Sequence, residues 1–141
     1  MKLVTFFGTG LFILVAACIM KKESTSQGLS IYDTKWILKK IYKESGTEEV
    51  FVKAFIKFNN EKGSAGGNGG CNTFGSNATV NNDEVSFTNI FSTKMYCEGI
   101  QPTEDAFLKQ LEKVNRFEIK DKVLVLYRDK EKLLEFEAEA K

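Results

Sequence analysis

Two short segments of the chain combine residue types that could do chemistry. Residues 69–75 read GGCNTFG, and residues 92–97 read STKMYC. A glycine-rich loop can hold a phosphate on its backbone N–H groups. A hydroxyl beside a lysine can act as a nucleophile, and a thiol can bind a metal or form a disulfide. Each of these chemistries needs further residues at a fixed spacing.

The spacing argues against a phosphate site and against a nucleophile. Residues 63–75 contain neither the Gly-Lys-Ser/Thr ending of a phosphate loop nor the G-x-G-x-x-G register of a dinucleotide site. The Ser-x-x-Lys spacing is also absent, because Met95 stands three positions after Ser92. We therefore interpret the glycines as a tight turn with close backbone packing. Thr93 and Lys94 are interpreted as a capping residue beside an exposed lysine.

The composition predicts neither an enzyme nor a nucleic-acid-binding protein. The chain lacks histidine, the commonest general base and metal ligand, and its 20 basic residues against 19 acidic ones give a net charge of +1. The carboxylates Glu84, Glu98, Glu104 and Asp105 are scattered over turns and a helix start, and they do not predict an acid–base pair. We expect no catalytic residue, no metal and no cofactor.

The N-terminus is typical of an exported lipoprotein. Lys2 precedes an apolar stretch at residues 3–15, which is too short for a comfortable membrane span, and the small residues Ala16 and Ala17 precede Cys18. This resembles a bacterial lipobox, which predicts a signal peptide over residues 1–17 and acyl chains, such as palmitate, on Cys18. Residues 18–33 are then a polar tether. An ordinary secretory signal or an uncleaved anchor, with Cys18 incidental, is the alternative.

The other two cysteines, Cys71 and Cys97, have three interpretations. In an exported protein they favour a disulfide bond. They could instead be separate buried thiols that behave as small apolar residues, or a redox or metal-binding pair, although two cysteines without histidine make a poor zinc site.

The apolar periodicity predicts the elements that would position these residues. Alternation starts one strand at residues 35–38 and defines the clearest strand at residues 50–58, and a hairpin follows at residues 79–90. Helical spacing predicts one helix at about residues 102–115, and three short strands follow it. The fold class is α+β and mainly antiparallel β: a curved sheet or partly open barrel of about seven or eight short strands packed on that helix.

At this point several segments resemble a known family, the META domain of the HslJ-like bacterial lipoproteins. The resemblance covers about residues 34–136 and defines a domain at residues 34–137, followed by a polar tail at residues 138–141. It rests on Trp36-Ile37-Leu38, on Gly70, Cys71, Asn72 and Phe74, on Thr93, Lys94, Met95 and Cys97, on residues 107–111 and on residues 123–126. The family usually has Ala where Tyr96 stands.

The resemblance implies a curved antiparallel sheet on one helix, similar to a cracked barrel, and no established catalytic activity. It also implies an association with heat-shock induction, antibiotic tolerance, motility or virulence. We expect a non-enzymatic envelope lipoprotein that is a small binding or scaffold module linked to envelope or heat stress. It would sit at the outer membrane facing the periplasm, held through Cys18, with an envelope protein as partner and no nucleic acid.

The alternative is a carrier of a lipid or other apolar ligand in the concave face of the sheet. Twelve phenylalanines are many for this length. Most alternate on strands and predict an aromatic core, whereas Phe51, Phe55 and Phe91 are candidates for a groove or exposed patch.

Overall fold

A computed structural model of the chain describes residues 28–140. The predicted signal peptide, the lipidation site Cys18 and most of the predicted tether lie outside the described residues. Within residues 28–140, no helix has the length and apolarity needed to cross a membrane.

The described chain forms one antiparallel sheet and one helix, which confirms the predicted fold class. In chain order the elements are β1 Trp36–Lys43, β2 Gly46–Glu49, β3 Phe55–Asn59, β4 Ser64–Asn68, β5 Thr73–Asn81, β6 Glu84–Ser92, α1 Gln101–Leu111, β7 Arg116–Lys120, β8 Val123–Arg128 and β9 Glu131–Ala138.

The pairings of the sheet close into a ring. The strand order is β2-β1-β3-β4-β5-β6-β7-β8-β9, and β1 also pairs with β9. The thinnest point lies between β6 and β7, where Glu84 and Arg116 form the one bridging pair. Backbone hydrogen bonds from Val85 to Asn115 and from Phe117 to Asp83 support it. Strands that pair all around in this way hide their common apolar face.

The sheet has nine strands rather than the seven or eight expected, because two strands lack an apolar signal. Strand β2 reads GTEE, and β4 reads SAGGN. The interpretation of the glycine-rich stretch as a turn is therefore wrong for β4. The close packing it assumed is present, since a Cβ at Gly67 would lie 2.0 Å from the carbonyl oxygen of Phe55 on β3.

Only the second half of the segment predicted as a strand, residues 50–58, forms one in the structure, because β3 begins at Phe55. Val50 donates a backbone hydrogen bond to Lys39 and Leu38 donates one to Ala54, so β2 and β3 both lie along β1 and the residues between them loop outward. Phe51 is 94% exposed as a result. Apolar alternation alone does not reveal such an excursion.

The helix is shorter than the periodicity indicates. It begins at Gln101, one residue before the predicted start, and ends at Leu111 instead of near residue 115. Val114 is buried all the same. Its side chain continues the apolar pattern beyond the last helical hydrogen bonds, which extends the predicted range.

The core lies inside the ring and is aromatic, as predicted. Trp36, Phe136 and Phe107 of α1 are fully buried. The rings of Phe107 and Phe74 pack edge to face, with their centres 5.4 Å apart. Within the described range 28–140, every buried core residue lies between Ile31 and Phe136. The ring of strands, the helix and this core therefore all lie within residues 28–140.

Candidate functional site

The two cysteine segments meet at the start of α1. Cys71 and Cys97 form a disulfide with their Cα atoms 5.9 Å apart, which confirms the first of the three interpretations. The bond joins the loop between β4 and β5 to the segment that leads into the helix. A covalent link across this 26-residue separation restricts the unfolded chain.

Asn72 is the centre of this junction. Its side chain is buried, with 2% of the residue exposed, and its amide nitrogen donates hydrogen bonds to the Met95 carbonyl (2.9 Å) and to Oε1 of Glu104 (2.5 Å). Its amide oxygen accepts from the Thr93 hydroxyl (2.9 Å) and from the Met95 N–H (2.8 Å). All four hydrogen-bonding positions of the side chain are therefore used inside the protein.

Glu104 holds the junction from the helix side. It lies in the first turn of α1, where the helix dipole favours a carboxylate, and is 1% exposed. Its Oε2 accepts the backbone N–H groups of Cys71 (3.0 Å) and Asn72 (2.6 Å). From the sequence, Glu104 is only an acid at a helix start. The one sequence feature that points to Glu104 is its position in the first helical turn, and this position does not reveal that the side chain is buried.

The glycines before Cys71 are required by this packing. A Cβ at Gly69 would lie 2.6 Å from Cγ of Glu104. Gly70 has φ +117°, and a Cβ there would lie 2.9 Å from Ile100 and 3.0 Å from Val52. The glycines therefore let the loop approach the buried carboxylate.

The remaining motif residues divide between the core and the surface. Phe74 is buried against the helix. The interpretation of Thr93 as a capping residue is wrong, because Ile100 precedes the helix and the Thr93 hydroxyl donates to Asn72. Lys94 is exposed, as interpreted. Met95 and Tyr96 point outward, 60% and 79% exposed. The junction thus fixes the backbone of a segment whose next side chains face solvent.

A small open cleft of about 510 Å³ lies between this segment and α1. Lys94 and Tyr96 line one side, and Asp105 and Lys109 line the other. In the part of the chain that the structure describes, no three Cys, Asp or Glu side chains are grouped so that they could hold a metal ion.

A second polar cluster lies away from the junction, on β1 and β9. The Tyr42 hydroxyl donates to Glu135 (2.7 Å), and the amine of Lys40 lies 3.2 Å from the same carboxylate. Burial and the hydrogen bond to Glu135 raise the pKa of Tyr42 to about 12. Burial would raise the pKa of Glu135, but the bonds from Tyr42 and Lys40 outweigh it and hold that pKa below its usual value. Such a cluster joins strands and offers no free acid or base near pH 7.

A wide cleft of about 1410 Å³, open to solvent, lies where the N-terminal arm meets the outer side of β3, β4 and β5. Leu29 and Phe91 give it exposed apolar surface. Phe91 is 70% exposed, and its ring covers Gly75 of the neighbouring strand, where a Cβ would lie 2.6 Å away. Of the three phenylalanines expected outside the core, Phe51 and Phe91 are exposed. Phe55 is half-buried beneath the amine of Lys35, which lies 4.6 Å from its ring centre.

Comparisons with known proteins agree with this architecture. The solved NMR structure of a protein from Burkholderia xenovorans is similar with a TM-score of 0.66 and 20% identity, over 79% of this chain and 85% of that one. A second protein solved by NMR has a TM-score of 0.55 and 18% identity, over 74% of this chain and 87% of the other. At these identities the likeness shows the fold alone. No curated protein matches the chain.

The family can be assigned from the chain itself. The family model described as the META domain matches residues 29–141, which include every strand, the helix and the whole Asn72–Glu104 junction. The resemblance that rested on the two cysteine segments is therefore confirmed, and the chain belongs to the META domain family.

Proposed function

We propose that this chain is a non-catalytic envelope lipoprotein: a META domain tethered through lipidated Cys18 that acts as a small binding or scaffold module. The observation that supports the non-catalytic part is the use of Asn72, the polar centre of the motif, inside the junction. All four hydrogen-bonding positions of Asn72 are occupied by Thr93, Met95 and Glu104. Side chains engaged in this way stabilise a loop and have no capacity left to bind a substrate.

The anchor part rests on the sequence before the domain. Small residues precede Cys18 at the end of the apolar leader, and the first strand of the described domain, β1, begins at Trp36. Each buried methylene of an acyl chain contributes about 0.8 kcal/mol, so two or three chains on one residue hold a domain firmly at a membrane.

The test is the mass and location of the mature protein in a bacterial host. We expect a chain that begins at Cys18, carries a lipid mass increment on that residue and sediments with the membrane fraction. The variant Cys18→Ser should lose the increment and leave the membrane fraction. A mature wild-type chain without lipid would refute the anchor. The proposed link to heat or envelope stress is tested separately, by the transcript level before and after a temperature shift.

A second candidate function is the binding of an apolar ligand. The wide cleft supports it, because Leu29 and Phe91 expose apolar surface there. The concave side of the sheet is filled by Trp36, Phe107 and Phe136, so a ligand would have to use this outer cleft instead. Native mass spectrometry of purified residues 28–141 should then detect bound lipid, and Phe91→Ser should reduce the bound fraction. Absence of any bound lipid would favour the scaffold function.

A further inference from the structure

Residues 94–98, which read Lys-Met-Tyr-Cys-Glu, expose an unusual arrangement of side chains. The large apolar residues Met95 and Tyr96 are 60% and 79% exposed. They are flanked by an exposed cation, Lys94, and an exposed anion, Glu98. We call these five residues the 94–98 segment.

The backbone of this segment is held from two sides. Asn72 binds both the N–H and the carbonyl of Met95, at 2.8 and 2.9 Å, and the disulfide fixes Cys97 to Cys71. A solvent-exposed pair of large apolar residues is therefore presented on an ordered backbone. Binding through such a pre-organised surface loses little conformational entropy.

The chemistry of the segment is that of an interface core with a charged rim. Tyrosine and methionine are enriched in the centres of protein interfaces, and charges lie around them. A third exposed apolar residue, Phe51, lies at the same end of the ring as the 94–98 segment. Its neighbour Val52 and Ile100 at the start of α1 both lie within about 3 Å of the Cβ position of Gly70, beside the disulfide.

The charges indicate what the segment binds. Among the described residues, neither Lys94 nor Glu98 belongs to an ion pair. A cation at one end and an anion at the other do not match a uniformly charged surface, such as an anionic bilayer. The two charges do complement those of the same segment in a second copy of the chain that runs in the opposite direction. In a two-fold arrangement, Lys94 of each copy faces Glu98 of the other, with Met95 and Tyr96 between them.

We propose that the 94–98 segment is the contact through which two copies of this chain associate. The interface is small, below the roughly 1,200 Å² of a standard protein complex, so the dimer is weak and reversible. A membrane anchor would raise the local concentration of both copies, but the contact itself does not depend on the anchor.

The test is sedimentation velocity of purified residues 28–141, which contain the complete ring and core, over a wide concentration range. We expect the sedimentation coefficient of the wild-type domain to rise with concentration. Lys94→Glu and Glu98→Lys should each weaken the association at least about tenfold, because each places like charges opposite one another. Tyr96→Ser should weaken it to a similar degree by removing apolar contact. All three side chains are exposed, so the fold tolerates these changes.

The decisive sample is a mixture of the two charge variants. One copy then carries two acids and the other two amines at these positions, so every facing pair is opposite again and a mixed dimer should form. The matched controls are Glu61→Lys and Lys62→Glu, an exposed pair in the turn between β3 and β4, which should leave association unchanged.

Three results would overturn the proposal: a wild-type domain that stays monomeric at every concentration, a dimer that the charge reversals do not weaken, or a mixture that does not restore association. The purified domain, residues 28–141, lacks Cys18, so failure of the proposed anchor would not affect the sedimentation result. A domain that binds lipid vesicles through this segment while staying monomeric would count against the proposal as well.

Discussion

Replacing Glu104 with glutamine should destabilise the domain far more than a change to one exposed acid. The two carboxylate oxygens accept the N–H groups of Cys71 and Asn72 and the side-chain amide of Asn72. Glutamine has nearly the same shape but only one oxygen. Whichever way its amide is turned, an NH₂ group faces a buried donor, and at least one donor loses its acceptor.

The size of the effect follows from these contacts. A buried polar group without a partner costs about 1–3 kcal/mol, and the remaining bonds lose their charge-assisted strength, so we expect Glu104→Gln to lower the free energy of unfolding by about 2–4 kcal/mol. For a domain of this size, that corresponds to a fall in Tm of about 8–16 °C.

Urea denaturation of residues 28–141 measures this change in the free energy of unfolding. The signal is the fluorescence of Trp36, the one tryptophan of the chain. Trp36 is fully buried and should report loss of the core. The matched control is Asp105→Asn at the next, exposed position, which should change stability by less than about 0.5 kcal/mol. If Glu104→Gln behaves like Asp105→Asn, the junction does not stabilise the fold as described.

Three further predictions concern the surroundings of the junction and the second polar cluster. Gly70→Ala should cost about 2–3 kcal/mol, because it combines a left-handed backbone with contacts to Ile100 and Val52. Gly99→Ala, with φ +75° and open space around it, should cost only about 1 kcal/mol in the same urea assay, and equal costs would contradict the packing argument. Replacing Cys71 and Cys97 together by alanine should lower the free energy of unfolding by about 3 kcal/mol, because the unfolded chain is no longer cross-linked. Chemical reduction of the wild-type disulfide should have a similar effect, and an unchanged Tm in either sample would contradict this reasoning. Tyr42 should ionise near pH 12 in an ultraviolet titration, and Tyr42→Phe should remove that step. Because its pKa is higher in the folded than in the unfolded state, the stability it contributes is complete below about pH 10 and is lost as the pH rises to about 12. A titration without a step near pH 12, or with one that Tyr42→Phe leaves in place, would refute this.

Alternation and composition were sufficient to predict the class of the fold. The strand predicted at residues 35–38 contains Trp36 and Leu38, and both are fully buried. The composition left three interpretations of Cys71 and Cys97 open, and the structure contains the first of them, a disulfide bond. Elements whose burial comes from their own apolar residues are visible in a sequence.

Elements that depend on their neighbours were missed. Strand β4 has almost no side chains of its own, and its place between β3 and β5 depends on how closely Gly67 approaches Phe55. The role of Glu104 depends on a loop more than thirty positions earlier in the chain. No local pattern encodes a buried carboxylate whose partners are backbone N–H groups, and so the sequence identified the motif but not the residue that holds it together.

The central claim is that Asn72 and Glu104 fasten the two cysteine segments to the helix. Amide hydrogen exchange measured by NMR tests it most directly, because the N–H groups of Cys71 and Asn72 each have Glu104 as acceptor and that of Met95 has Asn72. We predict that these three amides exchange as slowly as those of the central strand β5, although they lie outside every strand and helix. Exchange at the rate of an exposed loop in the folded, oxidised protein would contradict the claim.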